Sequence, residues 1–96
     1  MYGILRQYSG ASALIDALQR KNDEAADLLR GAPGFVAYYA IRTDDGLATI
    51  TVCNDRAGAE ASSQIAGKFV RDNLSADAAK TLATPKVSGG EVVLRA

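Results

Sequence analysis

Two β-prone runs, Phe35-Val36-Ala37-Tyr38-Tyr39-Ala40-Ile41-Arg42 and Leu47-Ala48-Thr49-Ile50-Thr51-Val52-Cys53, stand on either side of Asp45-Gly46. An Asp-Gly pair in that setting predicts a β-hairpin, because a type I′ turn needs positive φ at both central residues. The middle of the chain is thereby committed to antiparallel pairing. A two-residue turn would set Asp44 opposite Leu47, Ile41 opposite Ile50, Tyr39 opposite Val52 and Tyr38 opposite Cys53. Alternation then gives an apolar face of Phe35, Ala37, Tyr39, Ile41, Ile50 and Val52, which helices are expected to cover. Val36, Tyr38, Ala40, Arg42, Thr49, Thr51 and Cys53 form a mixed second face.

The flanking segments supply the rest of the order. Tyr2 to Ser9 reads as a strand ended by Gly10, and Glu91 to Arg95 as a final strand after the Gly89-Gly90 break. Between Ser12, a candidate N-cap, and Arg30, the residues Leu14, Leu18, Ala25, Leu28 and Leu29 recur at helical spacing. Gly31, read as a left-handed cap, and Pro33 end that helix. Asp55 caps a second helix, which carries Ala59, Ser62, Ile65, Ala66, Phe69 and Val70 on one stripe and runs to Asn73 or Leu74. The order βαββαβ folds most economically as an α+β, ferredoxin-like domain, a four-stranded antiparallel sheet with two helices on one face. At 96 residues the chain has room for a single such domain, residues 1–96. A chain this short buries a limited share of its surface, so the bare sheet face is expected to pair with a second copy as a homodimer, through Tyr38, Ala40, Thr49 and Thr51.

Composition narrows the chemistry. Eleven Lys+Arg balance eleven Asp+Glu, which leaves no positive excess for nucleic acid or an anionic membrane. Histidine is absent, and with it the commonest general base and the imidazole ligand of zinc or haem iron. The one cysteine, Cys53, forms no internal disulfide and reads as a small buried hydrophobe, so a cytoplasmic setting is expected, with neither metal nor cofactor. No stretch approaches a membrane span, and no basic region with a long apolar run marks export.

Pro33-Gly34-Phe35-Val36-Ala37-Tyr38-Tyr39 entering the second strand, the Asp45-Gly46 hairpin, and Val52-Cys53-Asn54-Asp55-Arg56-Ala57-Gly58-Ala59-Glu60 joining strand to helix carry a resemblance. The chain resembles the dimeric α+β barrel superfamily, in particular the small antibiotic biosynthesis monooxygenase-like proteins. That resemblance implies the ferredoxin-like fold and a homodimer. It spans cofactor-free oxygenases, haem-degrading enzymes, muconolactone isomerases and proteins of unknown role. The haem-degrading members use asparagine, tryptophan and histidine, and this chain has neither tryptophan nor histidine. The expected role is accordingly a dimeric domain that binds a small molecule. The alternative is a cofactor-independent monooxygenase or isomerase acting on a phenolic or lactone-like compound.

The candidate ligand-binding residues are Tyr38, Arg42, Thr51 and Arg6; no residue is assigned a catalytic role. Tyr38 and Arg42 share a face of strand two, where a phenol beside a guanidinium can bind an anion by charge-assisted hydrogen bonds, or both can seal a dimer interface. Arg6 could meet Glu91 across the sheet as a buried structural pair. Tyr2 and Tyr8 share Arg6's parity and read as packing residues. Asn54 and Asp55 read as capping and turn residues, and Asp44-Asp45 as a solvated hairpin tip.

Overall fold

The computed structural model describes residues 1–82 and 84–96, and the side chains of all of these except 79 and 81. Its elements are β1 (Tyr2–Ser9), α1 (Ser12–Arg20), α2 (Asn22–Arg30), β2 (Phe35–Arg42), β3 (Gly46–Cys53), α3 (Arg56–Asn73), α4 (Ala76–Thr81) and β4 (Lys86–Glu91). The sheet is antiparallel throughout in the order β2-β3-β1-β4, which is the ferredoxin-like arrangement. The expected first helix is two nine-residue helices broken at Lys21, whose ψ of 36° leaves the helical region. Ser12 is the first helical residue and Ala11 the cap, with no side-chain bond. Asp55 does cap α3, its carboxylate accepting from the Gly58 N–H at 2.9 Å. Asp55→Ala should cost about 1 kcal/mol, read as a shift of the urea midpoint without a change in slope.

The hairpin forms, with a different turn. Thr43 and Gly46 exchange backbone hydrogen bonds of 2.9 and 3.3 Å around Asp44-Asp45. Neither aspartate has positive φ, so this is not a type I′ turn. Gly46 belongs to β3, where a Cβ would lie 2.2 Å from the Tyr8 carbonyl oxygen. The glycine serves close approach of β1 rather than turn geometry. The register consequently moves by two residues, pairing Arg42 with Leu47, Ala40 with Thr49 and Tyr38 with Thr51. A two-residue shift changes partners and preserves faces.

The sides of the sheet are exchanged relative to expectation. Helices cover the mixed face: Ile4 and Arg6 of β1 and Leu47, Thr49, Thr51 and Cys53 of β3 are all buried. Ile4 and Cys53 pack with Ala32 and Ala59, and Leu47 packs with Ala11 and Leu14. Tyr39 and Ile41 of the apolar face are instead 63% and 47% exposed. A bulge between Phe35 and Ala37 leaves Phe35 against the helix-side core while Ala37 follows Tyr39 outward. Tyr38, Thr49 and Thr51 are therefore not free for the expected dimer contact, because α3 and the core already occupy that side.

Two further boundaries differ. The left-handed residue of the α2–β2 connection is Gly34, φ +67°, whereas Gly31 is right-handed. β4 ends at Glu91 instead of starting there, and Gly89-Gly90 lie inside it opposite Ile4 and Gly3. Gly89 sits within the strand because the Tyr2 ring crosses it, the hydroxyl oxygen falling 2.9 Å from where a Cβ would be.

Candidate ligand site between the sheet and the helices

Arg6 is the centre of the site. It points from β1 to the helix side and is 5% exposed. Its Nη1 donates to Thr51 Oγ1 at 3.3 Å, and its Nη2 donates to Ser63 Oγ on α3. Ser63 in turn lies 3.4 Å from the Ala59 carbonyl, to which its hydroxyl donates. Thr51 is fully buried and Thr49, one alternation along β3, nearly so. Among the described residues no carboxylate pairs with Arg6; every ion pair lies on the surface and uses other residues. The expected Glu91 partner is out of register, since Arg6 stands opposite Val87 and Glu91 opposite Tyr2. Glu91 is exposed and approaches the N-terminal ammonium at 3.8 Å. Hydroxyl dipoles hydrogen-bond a buried guanidinium without neutralising it, and an unbalanced buried charge costs several kcal/mol.

Two phenols stand in the field of that charge. Burial pushes the Tyr38 hydroxyl above its usual range, helped by Tyr8 and opposed by Thr49 and Arg6. Burial also pushes Tyr8 up, with Arg6 opposing. Both therefore keep their protons at neutral pH and present O–H donors. Tyr8, Tyr38 and Thr49 form the polar part of a small cavity whose walls are Leu14, Leu18, Leu29, Leu47, Ile65, Phe69 and Val70. Its volume of about 20 Å³ holds roughly one water. Leu29 and Tyr38 also line a neighbouring groove of about 250 Å³ between α2 and the β2 edge, with Ala26, Arg30, Phe35, Ala37 and Tyr39. These two side chains are thus common to the small cavity and to the groove.

The structure brings three of the four sequence candidates together. Arg6 bonds Thr51, and Tyr38 stands opposite Thr51 in register and feels the Arg6 charge. Arg42 is separate: it is exposed, four residues or about 13 Å further along β2, beside Ile15, Ala40 and the hairpin tip. Tyr8, Thr49 and Ser63 were not among the candidates. Tyr8 carried a signal, its two-residue spacing from Arg6, but Ser63 had none, because the phase of α3 over the sheet is set by tertiary packing. Cys53 is fully buried, and burial together with the Asp55 carboxylate pushes its thiol up, away from a reactive thiolate.

No protein-family model matches the chain, and no curated protein matches it. Solved structures do. The chain is similar to a protein of unknown function from Nitrosomonas europaea, with a TM-score of 0.68 at 19% identity over 99% of this chain and 90% of that one. It is similar to the cofactor-independent oxygenase SnoaB from Streptomyces nogalater, with a TM-score of 0.61 at 17% identity over 98% and 94% of the two chains. A third likeness is to an EthD-family protein from Bacillus halodurans, with a TM-score of 0.56 at 15% identity over 97% and 99%. At these identities the likeness is one of fold, the four-stranded antiparallel α+β arrangement with its helices on one face that the sequence predicts.

Proposed function

We infer that the protein is a small-molecule-binding α+β barrel domain whose ligand meets the Tyr8–Tyr38–Arg6 end of the space between sheet and helices. One observation carries this reading: among the described residues no carboxylate pairs with the buried Arg6, and Tyr8 and Tyr38, which interact with its charge, line an apolar cavity. A bound group could supply what the chain does not. In this reading the protein is a homodimer joined through the outer sheet face of Tyr39, Ile41, Ile50 and Val52, in place of the Tyr38 face, supported by the exposure of Tyr39 and Ile41. The single free thiol, Cys53, supports a cytoplasmic setting in this reading. Among the described residues no helix is long and apolar enough to cross a membrane.

A second reading has its own support in the likeness to a cofactor-independent oxygenase. In that reading the protein acts as a monooxygenase or isomerase on a phenolic or lactone-like compound. Tyr8 and Tyr38 would hold the oxyanion that develops on the substrate, and Arg6 would stabilise it from behind. Oxygen uptake with anthrones, catechols and dihydroxynaphthalenes, together with thermal shift on the same compounds, separates the readings. Binding is expected to raise the melting temperature with no uptake, and Arg6→Met to abolish that rise. Uptake that is lost in both Tyr38→Phe and Arg6→Met would establish the enzyme instead. No shift and no uptake with any compound would remove both readings.

A further inference from the structure

The outer face of the sheet is lopsided. Tyr39, Ile50, Leu5 and Ser88 stand in one row across the four strands, and Ala37, Val52, Gly3 and Gly90 in the next. Bulk is concentrated on β2 and β3, while the β4 side offers only Gly3, Ser88 and Gly90 in these rows. A ridge and a hollow thus run side by side along the strands. The two glycines are not demanded by the chain itself, since neither has positive φ. A Cβ on Gly3 would make ordinary contacts of 3.8 to 3.9 Å, and one on Gly90 would meet nothing within 4 Å. Glycine inside a strand weakens it, and one that its own chain does not require marks a place where another surface comes close. Lys86, at the start of β4, is the one charged side chain at the outward strand positions among the described residues. Depletion of charge is the mark of an interface core. Four strands at their usual spacing and length make a plane of about 450 Å² per copy, or about 900 Å² for two before side-chain relief is added. That is close to the roughly 1,000 Å² which a specific interface needs.

Resting on the homodimer reading above, we propose that the two copies pack with β2 of each over β4 of the other, each Tyr39 ring filling the hollow over Gly3, Ser88 and Gly90 of the second copy. Two sheets can meet face to face about a two-fold axis in two ways. An axis across the strands lays β2 on β2, so that Tyr39 meets Tyr39 and the hollows face each other across a void. Unfilled space forfeits the contacts of everything that lines it. An axis along the strands lays β2 over β4 and β3 over β1, so that Tyr39 stands over Ser88 and Val52 over Gly3. Large residues then meet small ones in both rows, and the face is complementary to itself. A methyl on Gly90 would only shallow the floor of the hollow, whereas a ring on Ser88 would fill it.

The test exchanges ridge and hollow and reads the dissociation constant of the dimer by sedimentation. Tyr39→Ser leaves two voids per dimer and Ser88→Tyr sets ring against ring, so each is expected to raise that constant at least about tenfold. The double variant Tyr39→Ser/Ser88→Tyr moves the ring to the opposite wall and is expected to return to within about threefold of the wild type. A Tyr39→Cys protein mixed with a Ser88→Cys protein, at concentrations where both are dimeric, should cross-link through a short bis-maleimide, while Tyr39→Cys alone should not. The native Cys53 is fully buried and stays silent. Circular dichroism reports that each variant folds, and the cross-link holds the proposal to account if Ser88→Tyr does not. A wild-type particle of twice 10.0 kDa in which Ser88→Tyr tightens the dimer, or Tyr39→Cys links to its own kind, would overturn this arrangement and leave the homodimer standing. A wild-type mass of 10.0 kDa would overturn the homodimer, and the arrangement with it.

Discussion

Replacing Gly58 by alanine is expected to lower the melting temperature by roughly 10–20 °C, the effect of about 3 kcal/mol in a domain of this size. Gly58 lies in the first turn of α3 and is buried. A Cβ there would stand 2.0 Å from the Pro33 carbonyl oxygen and 3.3 Å from the Cys53 Cβ. The obstruction is backbone, with no flexible side chain to swing aside. The Pro33 segment is itself fixed, because Asn54 donates its N–H to the next carbonyl, Gly34, at 2.8 Å. Relief would require α3 to lift from β3, loosening Ala59 and Ser62, both fully buried. The control is Gly90→Ala in β4, where a Cβ meets nothing within 4 Å, so little change is expected. A Gly58→Ala protein melting with the wild type in a circular dichroism scan would mean that the α3 start moves freely over the α2–β2 connection.

The second large effect concerns assembly. Ile41→Asp is expected to convert a particle of twice 10.0 kDa into one of 10.0 kDa by light scattering at micromolar concentration. Tyr39 and Ile41 are exposed on the outer face, with Leu5, Ile50 and Val52 on the same parity, so the face is contiguous and apolar. Two copies meeting there bury it reciprocally, and an aspartate on its β2 edge would be doubled by the two-fold symmetry. Ala40→Glu lies on the helix side and should leave the mass unchanged, as should a change at Asp27. A wild-type mass of 10.0 kDa would remove the dimer. Dissociation by Ala40→Glu but not by Ile41→Asp would return the contact to the other face.

The element order was legible because it is carried by local signals: Asp55 as a cap, the hairpin at residues 43–46, the β-prone runs around it. Which face of the sheet turns inward was not. β2 is apolar on both sides, so Tyr38 and Tyr39 are equally credible inside, and the decision falls to β1 and β3, where Ile4, Leu47 and Cys53 outweigh it. Thr49 and Thr51 read as dimer-contact residues, with Thr51 also a ligand candidate, and they are buried under the helices in the polar neighbourhood of Arg6. Tyr38, Thr51 and Arg6 came together because they share a parity that the two-residue shift of register preserves. Arg42 shares it too, and fails by distance along the strand. Distance from the core is a property of helix length and placement, which strand alternation does not encode.

The break at Lys21 divides what could have been one long rod into two short ones, and this gives α2 a mechanical character of its own. Leu29 sits eight residues from the break, a lever arm of about 12 Å at the helical rise. A rotation of about 10° at Lys21 would carry that side chain by about 2 Å, with both helices intact and α1 still held against Leu47. Leu29 is a wall of the small cavity and of the groove at once. The placement of α2 therefore sets how the space between helices and sheet is divided between a pocket for one water and a groove of about 250 Å³.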